Sequence, residues 1–152
     1  MRLLDTWDIA DFIARNYTLA EKIIEVGVGA YPWVAQKVKE NLPDSLVVVT
    51  DTDREKLSHA QQVCSELTCV QDNILKPNLK VYAGADLIYS LRPPPELVSG
   101  IFTVALRVGC AVLIRPLSHE EDGYDFKKRQ GWRLISHGRA ILHWYSQSRL
   151  LS

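Results

Sequence analysis

The segment IIEVGVGAYPW carries the first group of residues that could do chemistry: Glu25, Gly27 and Gly29 directly follow a short apolar run. The two glycines allow a tight turn and a close approach of a ligand to the backbone. Glu25 would repel a pyrophosphate at this turn, whereas a ligand with a positive charge beside its carboxylate suits it better. S-adenosylmethionine, with an ammonium, a sulfonium and one carboxylate, is such a ligand. The alternative is that Glu25 pairs with a nearby Lys or Arg.

Two further acidic positions follow the next apolar runs. Asp51 comes after LVVVT, about 24 residues beyond Gly27, which is near the roughly 20-residue spacing of an acid that accepts ribose hydroxyls. Its charge disfavours a 2′-phosphate and therefore NADP. Asp72 and Asn73 could accept an adenine amino group. The alternatives are that Asp51 only starts a turn before the helix cap Asp53, and that Asp72 and Asn73 form an ordinary turn.

A proline-rich segment, SLRPPPE, follows the fourth apolar run. Residues before proline avoid the α region, so we expect an extended, stiff rim that presents Ser90 and Arg92, with Pro93 and Pro94, to the substrate side of a ligand site. Arg92 would suit a phosphate or a carboxylate. The alternative is a rigid connector in which Arg92 is solvated or pairs with Glu96.

The elements that must position these residues alternate between strand and helix. This order predicts an α/β fold with a doubly wound, mostly parallel sheet that ends in an antiparallel hairpin. In such sheets a ligand binds beyond the carboxyl ends of the strands. The predicted strands are 22–26, 46–50, 69–71, 85–90, 110–115, 132–136 and 140–146, and the predicted helices are 5–17, 32–42, 54–67 and 96–108.

Bulk composition narrows the class of protein. The 152 residues suit one domain over 1–152. Lys plus Arg and Asp plus Glu both number 18, so a nucleic-acid partner is not supported, although Lys127–Arg129 could touch RNA locally. Three cysteines without paired spacing, and histidines without ligand spacing, predict no disulfide and no metal. Acidic residues near the N-terminus exclude a signal or membrane segment, so a cytoplasmic protein is expected.

The motifs EVGVG, VVVTD and ADLIYSLRPPPEL, in this order, resemble those of Rossmann-like, class I S-adenosylmethionine-dependent methyltransferases. More narrowly, the chain resembles a small uncharacterised archaeal protein family with that fold. The resemblance implies that Glu25, Gly27 and Gly29 hold the methionine end of the cofactor, Asp51 the ribose, and Asp72 with Asn73 the adenine.

The sequence departs from the methyltransferase pattern in two places. Tyr31 and Pro32 stand where large methyltransferase groups have a third glycine or another small residue, so Tyr31 could cover or fill the cofactor site. Arg92 stands in place of the Asn of an Asn-Pro-Pro-aromatic segment, and it lacks the carbonyl that would accept protons from a target amine. Methylation of an exocyclic amine is therefore not supported.

Three functions remain open from the sequence. The first is a small S-adenosylmethionine-dependent methyltransferase of unknown acceptor, which is met by the N-terminal helix, the rim and the loop Ser118–Gln130, or by a partner subunit. The second is a non-catalytic binding or partner module that kept the fold and binds a protein partner or a second copy of the chain. The third, a nucleotide-dependent oxidoreductase, is disfavoured by Glu25 and Pro32.

Overall fold

A computed structural model describes residues 3–117, 126 and 130–146 of the chain. Twelve elements are present in this part. The helices are α1 (Thr6–Asn16), α2 (Trp33–Asn41), α3 (Arg54–Val63), α4 (Leu79–Tyr82) and α5 (Pro95–Val108), and the strands are β1 (Lys22–Val26), β2 (Leu46–Asp51), β3 (Thr68–Gln71), β4 (Leu87–Leu91), β5 (Ala111–Arg115), β6 (Trp132–His137) and β7 (Ala140–Tyr145).

The strands form one seven-stranded sheet in the order β3-β2-β1-β4-β5-β7-β6. Strands β1 to β5 pair in parallel, whereas β7 runs antiparallel to β5 and β6 runs antiparallel to β7. The predicted fold class, a mostly parallel sheet with an antiparallel terminal hairpin, is confirmed. The strand order reverses between β1 and β4, which is the place where doubly wound sheets bind ligands.

The central strands form because their β-branched and apolar residues are buried on both faces of the sheet. On one face they pack against α1, α2 and α3 through Ile13, Val38 and Leu57. On the other face they pack against α4 and α5, with Tyr82 and Ile101 fully buried. No helix in the described ranges is long and apolar enough to cross a membrane.

Most predicted boundaries shift by one or two residues, and three helices differ from the predictions for local physical reasons. Helix α4, which the sequence did not predict, has only four residues, too few for a periodic pattern, and Asn78 caps it. Helix α3 ends at Val63 rather than Leu67, because Cys64 already takes an extended conformation. Helix α2 begins after Pro32 rather than at it. The predicted loop Ser118–Gln130 lies almost wholly outside the described residues.

Polar contacts tie α1 to the far edge of the sheet. The Asp8 carboxylate accepts from the backbone N–H of Arg139 at 3.1 Å, and the Asp11 carboxylate contacts Nε2 of His137 at 2.8 Å. At the start of the helix, buried Asp5 pairs with Arg115 at the end of β5, with 3.0 Å between Oδ2 and Nε. These contacts fix the N-terminal turn of α1 above the carboxyl ends of the strands.

Candidate functional site

A cleft of about 260 Å³ opens beyond the carboxyl ends of β1 and β4. Glu25 and Gly27 form one side, and Leu91 and Arg92 form another. The remaining walls come from the start of α1, from Tyr31 with the first turn of α2, and from Leu117 after β5. The cleft therefore lies at the reversal point of the sheet, where the fold predicts a ligand.

The turn after β1, here called the glycine turn, contains Gly27 and Gly29, and the space beside both glycines is open. Gly27 has φ +75° and Gly29 has φ +70°, and a Cβ added at either position would meet no atom within 4 Å. The backbone N–H groups of Gly27 and Val28 both donate to the carbonyl of Thr50, at 2.9 and 3.0 Å. A ligand can thus approach the turn closely, but these two amides do not form a nest for a pyrophosphate.

Glu25 is a buried acid whose hydrogen-bond donor is a phenol. Its side chain is 3% exposed, and its Oε1 accepts a 2.7 Å hydrogen bond from the hydroxyl of Tyr89, which is also buried. Among the described residues no Lys or Arg pairs with it, so the predicted alternative of an ion pair is not what the structure contains. Burial, reinforced by the charge of Asp51, raises the pKa of Glu25 to about 8, and the Tyr89 hydrogen bond opposes this shift.

Asp51 ends β2 and is engaged with the backbone on both sides. Its Oδ2 accepts from the N–H of Gly29 and its Oδ1 from the N–H of Asp53, each at 2.9 Å. Asp53 itself caps α3, as predicted, by accepting from the amides of Glu55 and Lys56. Since a carboxylate offers about four acceptor sites, Asp51 can brace the turn and still accept from a ligand hydroxyl.

Asp72 and Asn73 shape the loop after β3. The Asp72 carboxylate accepts from the N–H of Asn78 at 3.0 Å and from the hydroxyl of Tyr82 at 2.6 Å. The Asn73 side chain accepts from the N–H of Leu75 at 3.0 Å. A backbone hydrogen bond of 3.2 Å joins Asp72 to Asp51. The structure thus brings the two acids to neighbouring strand ends, but outside the described walls of the cleft.

The segment after β4 differs from the expected extended rim. Ser90 is 2% exposed, and its hydroxyl donates to the carbonyl of Val26 at 2.8 Å, because β4 continues one residue past its predicted end and keeps Ser90 inside the sheet. Ser90 is therefore not presented at the ligand mouth. Pro93 is buried, and Pro94 is the exposed N-cap residue of α5.

Arg92 reaches the cleft with an unusual backbone. Its φ is +56°, in the left-handed region rather than the extended region expected before proline. Its N–H donates to the carbonyl of Arg115 at 2.6 Å, which joins this turn to β5. The side chain is exposed, and no carboxylate in the described ranges pairs with it, so the predicted Glu96 pair is not formed.

Sequence reasoning missed two partners of the predicted residues, Tyr89 beside Glu25 and Trp33 beside Tyr31. Tyr89 is the only phenol within the apolar run of β4, and a buried hydroxyl needs a hydrogen-bond partner, so its position could have indicated a polar group on β1 or β5. The aromatic pair of Tyr31 and Trp33 is stacked, with ring centroids 5.6 Å apart. Tyr31, which is 51% exposed, borders the cleft rather than filling it.

The donor set fits an organic cation better than a metal ion. Within residues 3–117, 126 and 130–146, no group of three His, Cys, Asp or Glu side chains could hold a metal. Glu25 offers one buried carboxyl beside open backbone, and Arg92 offers a positive charge across the same cleft. These residues fit the amino-acid end of S-adenosylmethionine, and Asp51 has acceptor capacity left for its ribose.

Solved structures with the same fold are methyltransferases and related proteins. Cofactor-bound Rv0187 from MTB has a TM-score of 0.72 at 14% identity, with 97% of this chain and 82% of that chain covered. An RNA methyltransferase from Salinibacter ruber in complex with S-adenosyl-L-homocysteine has a TM-score of 0.67 at 11% identity, with 91% and 89% covered. The fibrillarin/Nop5p complex gives 0.66 at 12% identity, with 94% and 83% covered. At these identities the similarity establishes the fold.

Sequence relatives are archaeal. A UPF0146 protein of Archaeoglobus fulgidus is 44% identical over 109 residues, which are 72% of this chain and 76% of the relative. One from Methanothermobacter thermautotrophicus is 33% identical over 138 residues, which are 91% and 92% of the two chains. The profile of the uncharacterised protein family UPF0146 matches residues 6–138. The predicted resemblance is thereby confirmed, and the chain belongs to the UPF0146 family.

Proposed function

We propose that this protein binds S-adenosylmethionine and uses it as a methyltransferase. The observation that carries the proposal is Glu25, a buried carboxyl that lines an open cleft and has a neutral phenol, not a cation, as its hydrogen-bond donor. A buried acid gains strongly from a cationic partner. The ligand ammonium would supply this partner, beside the open backbone of Gly27 and Gly29.

The adenosine would extend from the cleft along the ends of β2 and β3. Asp51 would accept from the ribose hydroxyls with the acceptor sites that its two backbone contacts leave open. Asp72 and Asn73, on the adjoining loop, would meet the adenine. Because Asp72 is joined to Asp51 through the backbone, the two sites would be held at a fixed spacing.

Catalysis in this site would depend on positioning. Bound S-adenosylmethionine supplies an electrophilic methyl group on its sulfonium. Glu25 and the glycine turn would orient that end of the ligand, while Tyr31, Trp33 and Leu117 would exclude water from it. Orientation of this kind can lower a barrier by roughly 7–11 kcal/mol. The acceptor would enter between the start of α1 and Arg92, in line with the methyl group.

The second candidate is a binding module that retains the ligand but not the transfer. It is favoured by one observation: Glu25 is the only carboxyl on the described cleft wall, and its hydrogen bond to Tyr89 leaves no dedicated base for an acceptor. Such a module would bind a protein partner or a second copy of the chain. Methyl transfer by the purified protein would exclude it.

The test is calorimetric titration with S-adenosylmethionine and S-adenosylhomocysteine. We expect binding by the natural chain and a loss of at least about tenfold in affinity for Glu25→Ala, since an ion pair in a buried site is removed. Amide chemical shifts should move at Gly27, Gly29, Asp51 and Asp72.

A matched control is Glu66→Ala, an exposed acid after α3, which should bind the ligand as the natural chain does. No heat and no thermal shift at millimolar ligand would refute the proposal, and NADH titration would test the oxidoreductase alternative.

A further inference from the structure

We propose that Arg92 binds the carboxylate of the ligand's amino-acid end, so that Glu25 and Arg92 together recognise a zwitterion. The inference rests on the proposed function, because it concerns the same cleft. It assigns Arg92 to the cofactor, whereas the sequence pattern had placed this residue on the acceptor side.

The first step is that an acid and a base border one small volume without pairing with each other. Glu25 comes from β1 and Arg92 from the turn after β4, and these strands are parallel neighbours. Both line the cleft of about 260 Å³, and they are the acid and the base of its described wall. Glu25 bonds to Tyr89, and Arg92 has no acidic partner in the described ranges. A ligand that carries an ammonium and a carboxylate would give Glu25 and Arg92 each an ionic partner.

The second step is the backbone of Arg92. A left-handed φ of +56° is uncommon for a residue with a Cβ, and it stands here directly before a proline. Strained residues of this kind collect at ligand sites, where the surrounding structure enforces them. The hydrogen bond from the N–H of Arg92 to Arg115 is such a restraint. Glycine would take this conformation freely, so the side chain of Arg92 has a use that the turn alone does not require.

The third step is the chemistry of the ligand. The ammonium and the carboxylate of a methionine end are attached to the same carbon atom, so the groups that bind them must face one confined space. Guanidinium binds carboxylate through two parallel hydrogen bonds and is the side chain best suited to this role. Apolar side chains, including Leu3, Val34 and Leu91, also line the cleft, and a less polar environment strengthens charge contacts.

The experiment compares two ligands that differ in this carboxylate alone. S-adenosylmethionine and decarboxylated S-adenosylmethionine are titrated into the natural chain, Arg92→Gln and Arg92→Lys. We expect Arg92→Gln to weaken S-adenosylmethionine binding by at least about tenfold, a typical loss for a charge-assisted pair, and to leave the affinity for the decarboxylated ligand within about twofold. Arg92→Lys should be intermediate, because a point charge replaces the guanidinium fork.

Arg107→Gln, in the last turn of α5 and exposed, is the matched control and should bind both ligands as the natural chain does. Equal effects of Arg92→Gln on the two ligands, or no effect on either, would overturn the assignment and place Arg92 on the acceptor side. If the natural chain binds neither ligand, the proposed function itself is wrong. Binding by the natural chain that Arg92→Gln leaves unchanged defeats only the present inference.

Discussion

Glu25 and Asp51 lie at the carboxyl ends of neighbouring parallel strands, in two regions that we call, after the proposed ligand, the tail half and the adenosine half of the site. The tail half contains Glu25, Gly27 and Arg92, and its charged groups lack ionic partners among the described residues. In the adenosine half, the carboxylates of Asp51 and Asp72 each accept two hydrogen bonds from the chain. Similar residue types thus serve different purposes.

The difference teaches that an acid at a strand end can be a structural brace, a ligand group, or both. Asp51 stabilises the glycine turn before any ligand arrives, so its removal should damage the fold. A neutral amide in place of the Glu25 carboxyl could accept the same hydrogen bond from Tyr89. Loss of this carboxyl should therefore weaken ligand binding rather than the fold. The free energy of unfolding of the ligand-free protein, measured for variants of these residues, tests this division.

The largest effect is expected from the ionisation of Glu25. Its pKa is raised from 4.5 to about 8 in the folded protein, so the folded state holds one more proton than the unfolded state between these values. Its contribution to stability is complete below pH 4.5 and is lost as the pH rises through about 8, by at most about 1.4 kcal/mol per pH unit. From pH 6 to pH 8, Glu25→Gln should therefore gain about 2 kcal/mol in unfolding free energy relative to the natural chain.

Urea unfolding at the two pH values measures this gain. Gln keeps an oxygen that can accept from the hydroxyl of Tyr89, so the packing is preserved. Glu66→Gln, at an exposed position, should show no such relative change. Parallel pH profiles for the natural chain and Glu25→Gln would contradict the view that Glu25 is held neutral.

The next effect concerns Asp51. Asn has one acceptor oxygen in place of two, so Asp51→Asn must abandon the N–H of either Gly29 or Asp53. We expect a loss of about 1–2 kcal/mol in unfolding free energy, even without ligand. Asp53→Asn is the matched comparison, because both of its capping hydrogen bonds go to one oxygen and Asn caps helices as well as Asp. Equal stabilities of the two variants would contradict the role of Asp51 as a structural brace of the glycine turn.

The smallest effect is expected at Arg92. Arg92→Gly removes the cost of a left-handed φ and should stabilise the fold by about 0.5–1 kcal/mol, after allowance for the greater freedom of glycine in the unfolded chain. The same variant should lose affinity for S-adenosylmethionine. Thermal unfolding and calorimetry on one preparation measure both changes, and a destabilised Arg92→Gly would show that the conformation is not strained.

The alternation of strands and helices along the chain and the type of sheet could be predicted from the sequence, because buried β-branched runs and strand-end turns are local signals. The β-branched and apolar runs LVVVT and CAVLIR predict strands, and the structure has strands over Leu46–Asp51 and Ala111–Arg115. The direction of Ser90 could not be predicted, since it depends on the register of β4 between Val26 and Ile114. The φ of Arg92 also could not, because a residue before proline is expected to be extended and a contact with β5 overrides this preference.

The hydrogen-bond donors to the acidic residues also could not be predicted from the sequence. Asp72 meets Tyr82 through α4, a helix too short to predict, and Glu25 meets Tyr89 across two strands that are distant in the chain. Such contacts depend on tertiary pairing, and local propensity contains no information about them. The sequence therefore predicts the type of residue at each strand end. It does not predict which groups of the chain donate hydrogen bonds to that residue.

The hydrogen bond between Asp8 of α1 and the terminal hairpin connects the cleft to residues that do not border it. Gly138 turns the hairpin at φ +58°, and the Asp8 carboxylate occupies the space that a Cβ at this position would need. A larger residue at 138 would displace the Asp8 carboxylate from its hydrogen bond with the N–H of Arg139, and so would weaken the contact between α1 and the hairpin. We therefore expect a larger residue at 138 to disturb the N-terminal turn of α1, which borders the cleft, and so to weaken binding of the proposed ligand from a turn that the ligand would not contact.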